Sequence, residues 1–258
     1  WKRYISVISL DEALLELEKN QNKARIVAGA TDLMLEMERG ARPGVEMLID
    51  ITRINGLREI TLDEQDNVHI GSLVTHNDCV NSELIRSCAY PLARAAWEVG
   101  SPQIRNRGTI AGNLITASPA NDTITPLMAL GASLVLSTRK GDRVVPLADF
   151  YRGVRKTVLE PDEIVTDIFF PALRENQKGV FTKYALRNAQ AISLVNLAVI
   201  VAFGPGSVVE SAHITLGAVG PTIVRAWQAE AYLVGKQLTA EVGKAAAELV
   251  KTEITPID

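Results

Sequence analysis

Two short stretches rich in small residues carry the groups best suited to holding an anion. The first, Gly29-Ala30-Thr31-Asp32, follows the apolar run Ala24 to Ala28 and precedes Leu33 to Arg39, a segment of helical character stopped by Gly40 and Pro43. A strand feeding a small-residue turn that opens a helix presents backbone N–H groups and a positive dipole end to one acceptor. The second lies within Gly100 to Asp122, where Gly108 and Gly112 bracket Thr109-Ile110-Ala111, and Asn113 and the polar bend Ser118-Pro119-Ala120-Asn121-Asp122 follow. Glycine permits positive φ, so successive N–H groups can converge on a diphosphate. Arg105 and Arg107 add positive charge there, and Thr109, Asn113 and Ser118 add short hydrogen-bonding groups. The residue types alone leave a second reading open: a tight loop between buried elements, with solvated arginines.

Other reactive side chains form no constellation. No Ser-His-Asp, Cys-His or paired-carboxylate arrangement has defensible spacing. His76, near Asp78, reads by default as a surface histidine beside a helix cap, with a base as the alternative. Asp122 suits either an N-cap for Thr123 to Leu130 or a ligand contact. Lys183, in an alternating strand, reads by default as a solvated strand-face lysine, with a ligand role as the alternative. Trp97, Trp227 and the phenylalanines read as core. Two cysteines, Cys79 and Cys88, cannot supply the four thiolates of an iron–sulfur cluster, and three scattered histidines make a zinc site improbable. A formal net charge of −3 leaves no basic field for nucleic acid. No apolar run approaches the ~20 residues of a membrane span, and the first residues lack a signal-peptide pattern. A metal-free chain in the reducing cytoplasm is expected.

The elements that must position the two glycine stretches divide the 258 residues into three units. Residues 1–55 read as a small α/β unit: a helix capped by Ser9 and Glu12, a strand at Ala24 to Ala28, a helix at Leu33 to Arg39 and a strand at Glu46 to Ile51. Residues 56–171 read as a mixed unit. It has hairpins around Asp63 to Asn67 and Thr138 to Asp142, helices at Ser82 to Arg86, Pro91 to Val99 and Thr123 to Leu130, and a β-prone run at Glu163 to Phe170. After a polar linker, Ala172 to Lys178, three strand-like runs (180–186, 194–203, 211–219) and two helices (225–235, 239–251) make an α+β unit over 172–258.

Ile26-Val27-Ala28-Gly29-Ala30-Thr31-Asp32-Leu33 together with Thr109-Ile110-Ala111-Gly112-Asn113 resembles the two glycine loops of the FAD-binding subunit of molybdenum hydroxylases, the group of xanthine and carbon monoxide dehydrogenases. The similarity continues through Gly100–Asn113, Ala117–Asp122, Pro146–Gly153, Lys156–Glu163 and Ile192–Ala198, and ends in Gly217-Ala218-Val219, Pro221 and Ala226. It covers nearly the whole chain in order. The resemblance implies an α+β fold: a two-subdomain FAD-binding fold of the vanillyl-alcohol-oxidase (PCMH) type, followed by a C-terminal α/β flavoprotein domain. It implies that the two loops wrap the diphosphate and ribityl chain of FAD. By the same carry-over, Asp122 contacts FAD, Val165 lies near the flavin ring and Lys183 lies near the cofactor. The implied partners are a molybdenum-cofactor large subunit, a [2Fe–2S] small subunit, and NAD⁺ or another electron acceptor. Two rivals are a stand-alone FAD oxidase of the same fold and a scaffold that has lost FAD. Ala30 and Ala111 replace glycines of the usual pairs, so binding weakens wherever positive φ is required. The family's Asp-x-Arg and Tyr-Arg tail pattern does not follow Thr255-Pro256-Ile257-Asp258, so a clipped C-terminus is expected.

Overall fold

The computed structural model describes residues 1–187 and 189–256; Ile257 and Asp258, where the clipped tail is expected, lie outside them. Strand Met47–Asp50 runs at the centre of a three-stranded parallel sheet, between Arg3–Ser6 and Ala24–Val27. Met47, Leu48 and Ile49 are all buried, as a strand covered on both faces requires. Helix Leu10–Asn20 packs Ala13, Leu14 and Leu17 against this sheet. Ser9 Oγ accepts the Glu12 N–H at 3.3 Å, while the Glu12 carboxylate reaches back to the Ile8 N–H at 3.0 Å. Arg3–Ser6 is a strand the sequence does not announce: it has four residues, three of them exposed, and no alternation.

The second sheet is antiparallel, in the order Ile60–Leu62, Asn67–Gly71, Ile164–Pro171, Ser133–Thr138 and Gly141–Pro146. Ile164–Pro171 is its central strand, and its register shifts between Val165 and Asp167, a bulge that bends the strand there. Helices Tyr90–Glu98, Ile110–Ile115 and Ile124–Ala129 bury Leu92, Leu114 and Leu127 in the main core. Ile164 and Leu73 belong to the core of the first sheet, so the two units share a seam.

A third, antiparallel sheet (Gln177–Ala185, Ser193–Phe203, Val209–Gly217, Val224–Arg225) carries helices Trp227–Leu233 and Ala240–Glu253. Its Phe181, Ala198 and Ile200 join the main core. Phe150, Phe170 and Phe181 are buried as expected, but Trp97 and Trp227 are 53% and 61% exposed. The helices bearing them turn alanine and leucine inward, and each indole instead lies beneath a guanidinium, Arg105 at 4.7 Å and Arg225 at 3.7 Å.

The two glycine stretches meet across the seam. A methyl group at Gly29 would lie 2.9 Å from Gly108 Cα and closer still to the Arg107 carbonyl oxygen. Replacing Gly29 by alanine must therefore push backbone off backbone. We predict that Gly29→Ala lowers the unfolding free energy by about 1–3 kcal/mol in urea titrations, as overpacking does. Gly243→Ala, a helical site with open space around it, should be neutral or stabilising by up to about 1 kcal/mol. Equal effects at the two sites would refute the contact.

Candidate functional site: a cleft between the two glycine loops

A cleft of about 380 Å³ opens where the loops meet. From the first stretch, Ile26, Ala28, Gly29, Ala30, Thr31, Asp32 and Leu33 line it; from the second, Thr109, Ala111, Gly112 and Asn113 do. Val165, beside the bulge, lines it too. Val27 and Ile110 do not, because both turn into hydrophobic cores. Val99, Ile104 and Ile115 add apolar wall that sequence reasoning did not single out.

The two loops differ in what they offer. Gly29, Ala30, Thr31, Asp32 and Leu33 form a turn between strand Ala24–Val27 and helix Leu33–Glu38. Among the described residues no protein acceptor takes any of their five backbone N–H groups. The second stretch, expected as an irregular loop, contains helices Pro102–Arg105 and Ile110–Ile115. There the Gly112 N–H donates to Thr109 Oγ1 at 2.9 Å and the Asn113 N–H to the Thr109 carbonyl at 3.0 Å. The Ile110 N–H donates to the Val74 carbonyl at 3.0 Å, so among the described residues of Thr109–Asn113 only the Thr109 and Ala111 N–H groups stay free, and the first loop carries the longer run of free donors. Arg105 is not solvated: it is buried, donating to the Val99 carbonyl at 3.2 Å. Arg25, Arg42 and Arg155 line the cleft against Asp32, Glu36, Glu160 and Glu163. Three guanidiniums against four carboxylates give no net positive field around the cleft.

Five free backbone donors and the apolar side chains of Val99, Ile104, Ile115 and Val165 thus belong to one cleft. Residues 2–173 match the family described as the FAD binding domain in molybdopterin dehydrogenase, and residues 181–258 match the CO dehydrogenase flavoprotein C-terminal domain. The chain belongs to this flavoprotein family. It is 38% identical over 224 residues to the nicotinate dehydrogenase FAD-subunit of Eubacterium barkeri, covering 85% of this chain and 75% of that one. It is 34% identical over 241 residues to the carbon monoxide dehydrogenase medium chain of Hydrogenophaga pseudoflava, covering 93% and 82%. A solved carbon monoxide dehydrogenase from Hydrogenophaga pseudoflava superposes with a TM-score of 0.92 at 34% identity, over 100% of this chain and 88% of that chain. The mixed helix and strand architecture is that of the family, and FAD is its cofactor.

The two alanine replacements in this flavoprotein are unequal. Ala30 stands at φ 58°, where a Cβ is strained, while Ala111 lies within helix Ile110–Ile115, where alanine is favoured. Asp122 and Lys183 do not line the cleft. Asp122 caps nothing: helix Ile124–Ala129 begins at Thr123 without a side-chain cap. Its carboxylate accepts from Lys183 Nζ at 2.6 Å, Ser193 Oγ at 2.6 Å and Asn196 Nδ2 at 3.3 Å. Both side chains of the ion pair are 7% exposed, so the lysine is not solvated either. Burial raises the Asp122 carboxyl above its ordinary value, opposed by Lys183 and Ser193. The pair ties the second glycine stretch to the C-terminal sheet.

His76 is also not at the surface. It is 2% exposed, opens helix His76–Asn81 behind a Thr75–Asp78 capping box, and lines the cleft. Its backbone N–H donates to the Gly108 carbonyl at 3.1 Å, and its ring lies against Gly108, where an added methyl group would come within 3.3 Å of Cδ2. Burial, helped by the charge of Arg105, lowers its pKa to about 4.

Two predictions follow from these positions. Ala30→Gly removes the strained Cβ and should raise unfolding free energy by about 1 kcal/mol, whereas Ala111→Gly, in a helix, should lower it by a similar amount. Opposite signs in paired denaturant titrations check this. For His76 the neutral form is favoured by folding, so its contribution is intact above its unfolded value near 6.5 and is lost as pH falls toward 4. That depression corresponds to on the order of 3 kcal/mol. Between pH 7 and pH 4.5 the natural chain should lose clearly more stability than His76→Gln; equal losses would contradict the burial argument.

Proposed function

We propose that this chain is the FAD-carrying electron-transfer subunit of a multi-subunit molybdenum hydroxylase. Electrons arrive from [2Fe–2S] clusters on a small partner subunit and leave to NAD⁺ or another acceptor. Hydroxylation takes place on a large subunit holding the molybdenum cofactor. The observation that carries this reading is the row of five unpaired N–H groups at Gly29 to Leu33 facing the Thr109–Asn113 wall across one cleft. FAD, when bound, supplies the electron-accepting chemistry. The first loop holds the diphosphate with fixed dipoles. Val165, Ile104 and Ile115 keep water from the ring, and Thr109 and Asn113 orient the chain between them. Asp122 and Lys183 enter as the buried ion pair that holds the second loop in place, one shell behind the wall. In domain terms, residues 1–55 and 56–171 are the two FAD-holding subdomains and 172–258 the C-terminal domain. No described helix is long and apolar enough to cross a membrane, and Cys79 and Cys88 are both free thiols, so we place the complex in the cytoplasm.

The purified chain should bind about one FAD and gain about 2.7 kcal/mol of unfolding free energy at a free FAD concentration one hundred times Kd. It should show negligible oxidation of aldehydes, purines or N-heterocycles until a molybdenum and an iron–sulfur partner are added. Turnover by the single chain would establish the stand-alone oxidase instead. A colourless chain whose melting temperature ignores FAD would establish a scaffold.

A further inference from the structure

Among the described residues, two buried side-chain polar atoms have no hydrogen-bond partner, Ser72 Oγ and His76 Nδ1. Both residues line the same cleft, and they are 3% and 2% exposed. Ser72 follows strand Asn67–Gly71, and its N–H donates at 3.3 Å to the carbonyl of Thr166, the bulge residue next to Val165. His76 is anchored to Gly108 of the second glycine stretch. The two orphans thus sit in the stretch of cleft lining that runs between the bulge and the second glycine stretch. Ser72 carries no signal in the sequence, and His76 stands out there only as a histidine beside a helix cap.

A buried hydroxyl or imidazole without a partner weakens folding, and native proteins leave few of them. Two within five residues of sequence, both in one cleft wall, mark a wall that is complete only when something in the cleft bonds to it. A serine hydroxyl both donates and accepts, and a neutral imidazole does one at each nitrogen. Such a pair suits an occupant carrying hydroxyl and amide groups better than a bare phosphate. The diphosphate already has its donors on the opposite loop. We propose that Ser72 and His76 are cofactor-binding residues, hydrogen-bonding FAD from the cleft wall; this rests on the reading of that cleft as the FAD site.

The test uses the full chain freed of flavin, with FAD titrated by fluorescence quenching and thermal melting followed with and without FAD. Ser72→Ala and His76→Leu each remove an orphan, so the flavin-free melting temperature should stay level or rise. FAD affinity should fall about five- to tenfold per variant. A lower flavin-free melting temperature with unchanged FAD affinity would mean that the two groups are structural, which overturns the proposal. Unchanged affinity in both variants overturns it as well. If His76→Leu does not fold, Ser72→Ala decides alone. A natural chain that fails to bind FAD overturns the cleft reading itself, and this proposal with it; a natural chain that binds FAD while both variants bind equally well overturns only the proposal.

Discussion

The backbone of Gly29 rests against the Arg107 carbonyl and Gly108 Cα with no side chain between them. That contact sets the spacing of everything built around it. On one side stands the parallel sheet, whose central strand is buried on both faces. On the other stand the antiparallel sheet and its helices. Because Ile164 and Leu73 pack into the core of the first sheet, the seam is apolar where it is closed and polar only where it opens. A cleft formed in this way is a by-product of two loops touching at one point and diverging beyond it. Its width is a property of backbone, which changes little, and not of side-chain rotamers, which change often.

The electrostatics follow the same division of labour. With guanidiniums and carboxylates nearly balanced around the cleft, net charge cannot select an anion. Fixed N–H dipoles can, because they need no counter-ion and lose no rotamer entropy on binding. The second loop uses two of its N–H groups, those of Gly112 and Asn113, on Thr109 and a third, that of Ile110, on the Val74 carbonyl, so it keeps fewer free donors than the first. Behind it, Asp122 converts a bend in the chain into a four-way junction with Lys183, Ser193 and Asn196. Removing one member of such a buried pair leaves a charge stranded, which makes the junction costly to break.

The sequence made the local parts of this site legible. The strand–turn–helix at Ala24 to Glu38 is readable because each step is encoded within a few residues: an apolar run, small turn residues, then helical periodicity. The family pattern extended that reading to the second loop and to the fold. What stayed hidden depends on contacts distant in sequence. Asp122 looks like a cap until its partners 61 to 74 residues away are known. Lys183 looks solvated for the same reason. His76 has the neighbours of a surface cap, and only the packing of its ring against Gly108, 32 positions on, turns it inward. Trp97 errs in the other direction: indole suggests core, but the alanine-rich face of its helix already fills the available volume. Arg3–Ser6 is an edge strand held by the pairing of its neighbour and not by its own pattern.

Ala30 shows how a rule can be broken at such a site without loss of the fold. Its φ of 58° stores about 1 kcal/mol relative to glycine, and nothing in its own side chain repays that. The compensation lies in the turn as a whole. The left-handed residue sits among N–H groups that no protein acceptor takes, and the Met34 N–H donating to the Ala30 carbonyl at 3.2 Å starts the following helix from that conformation. At Ala111 the same substitution sits in helical geometry and carries no such strain. Two alanines that look equivalent in the glycine pattern therefore act in opposite senses. A glycine motif in this fold is better understood as two separate demands, positive φ in the first loop and helix entry in the second, than as one requirement stated twice.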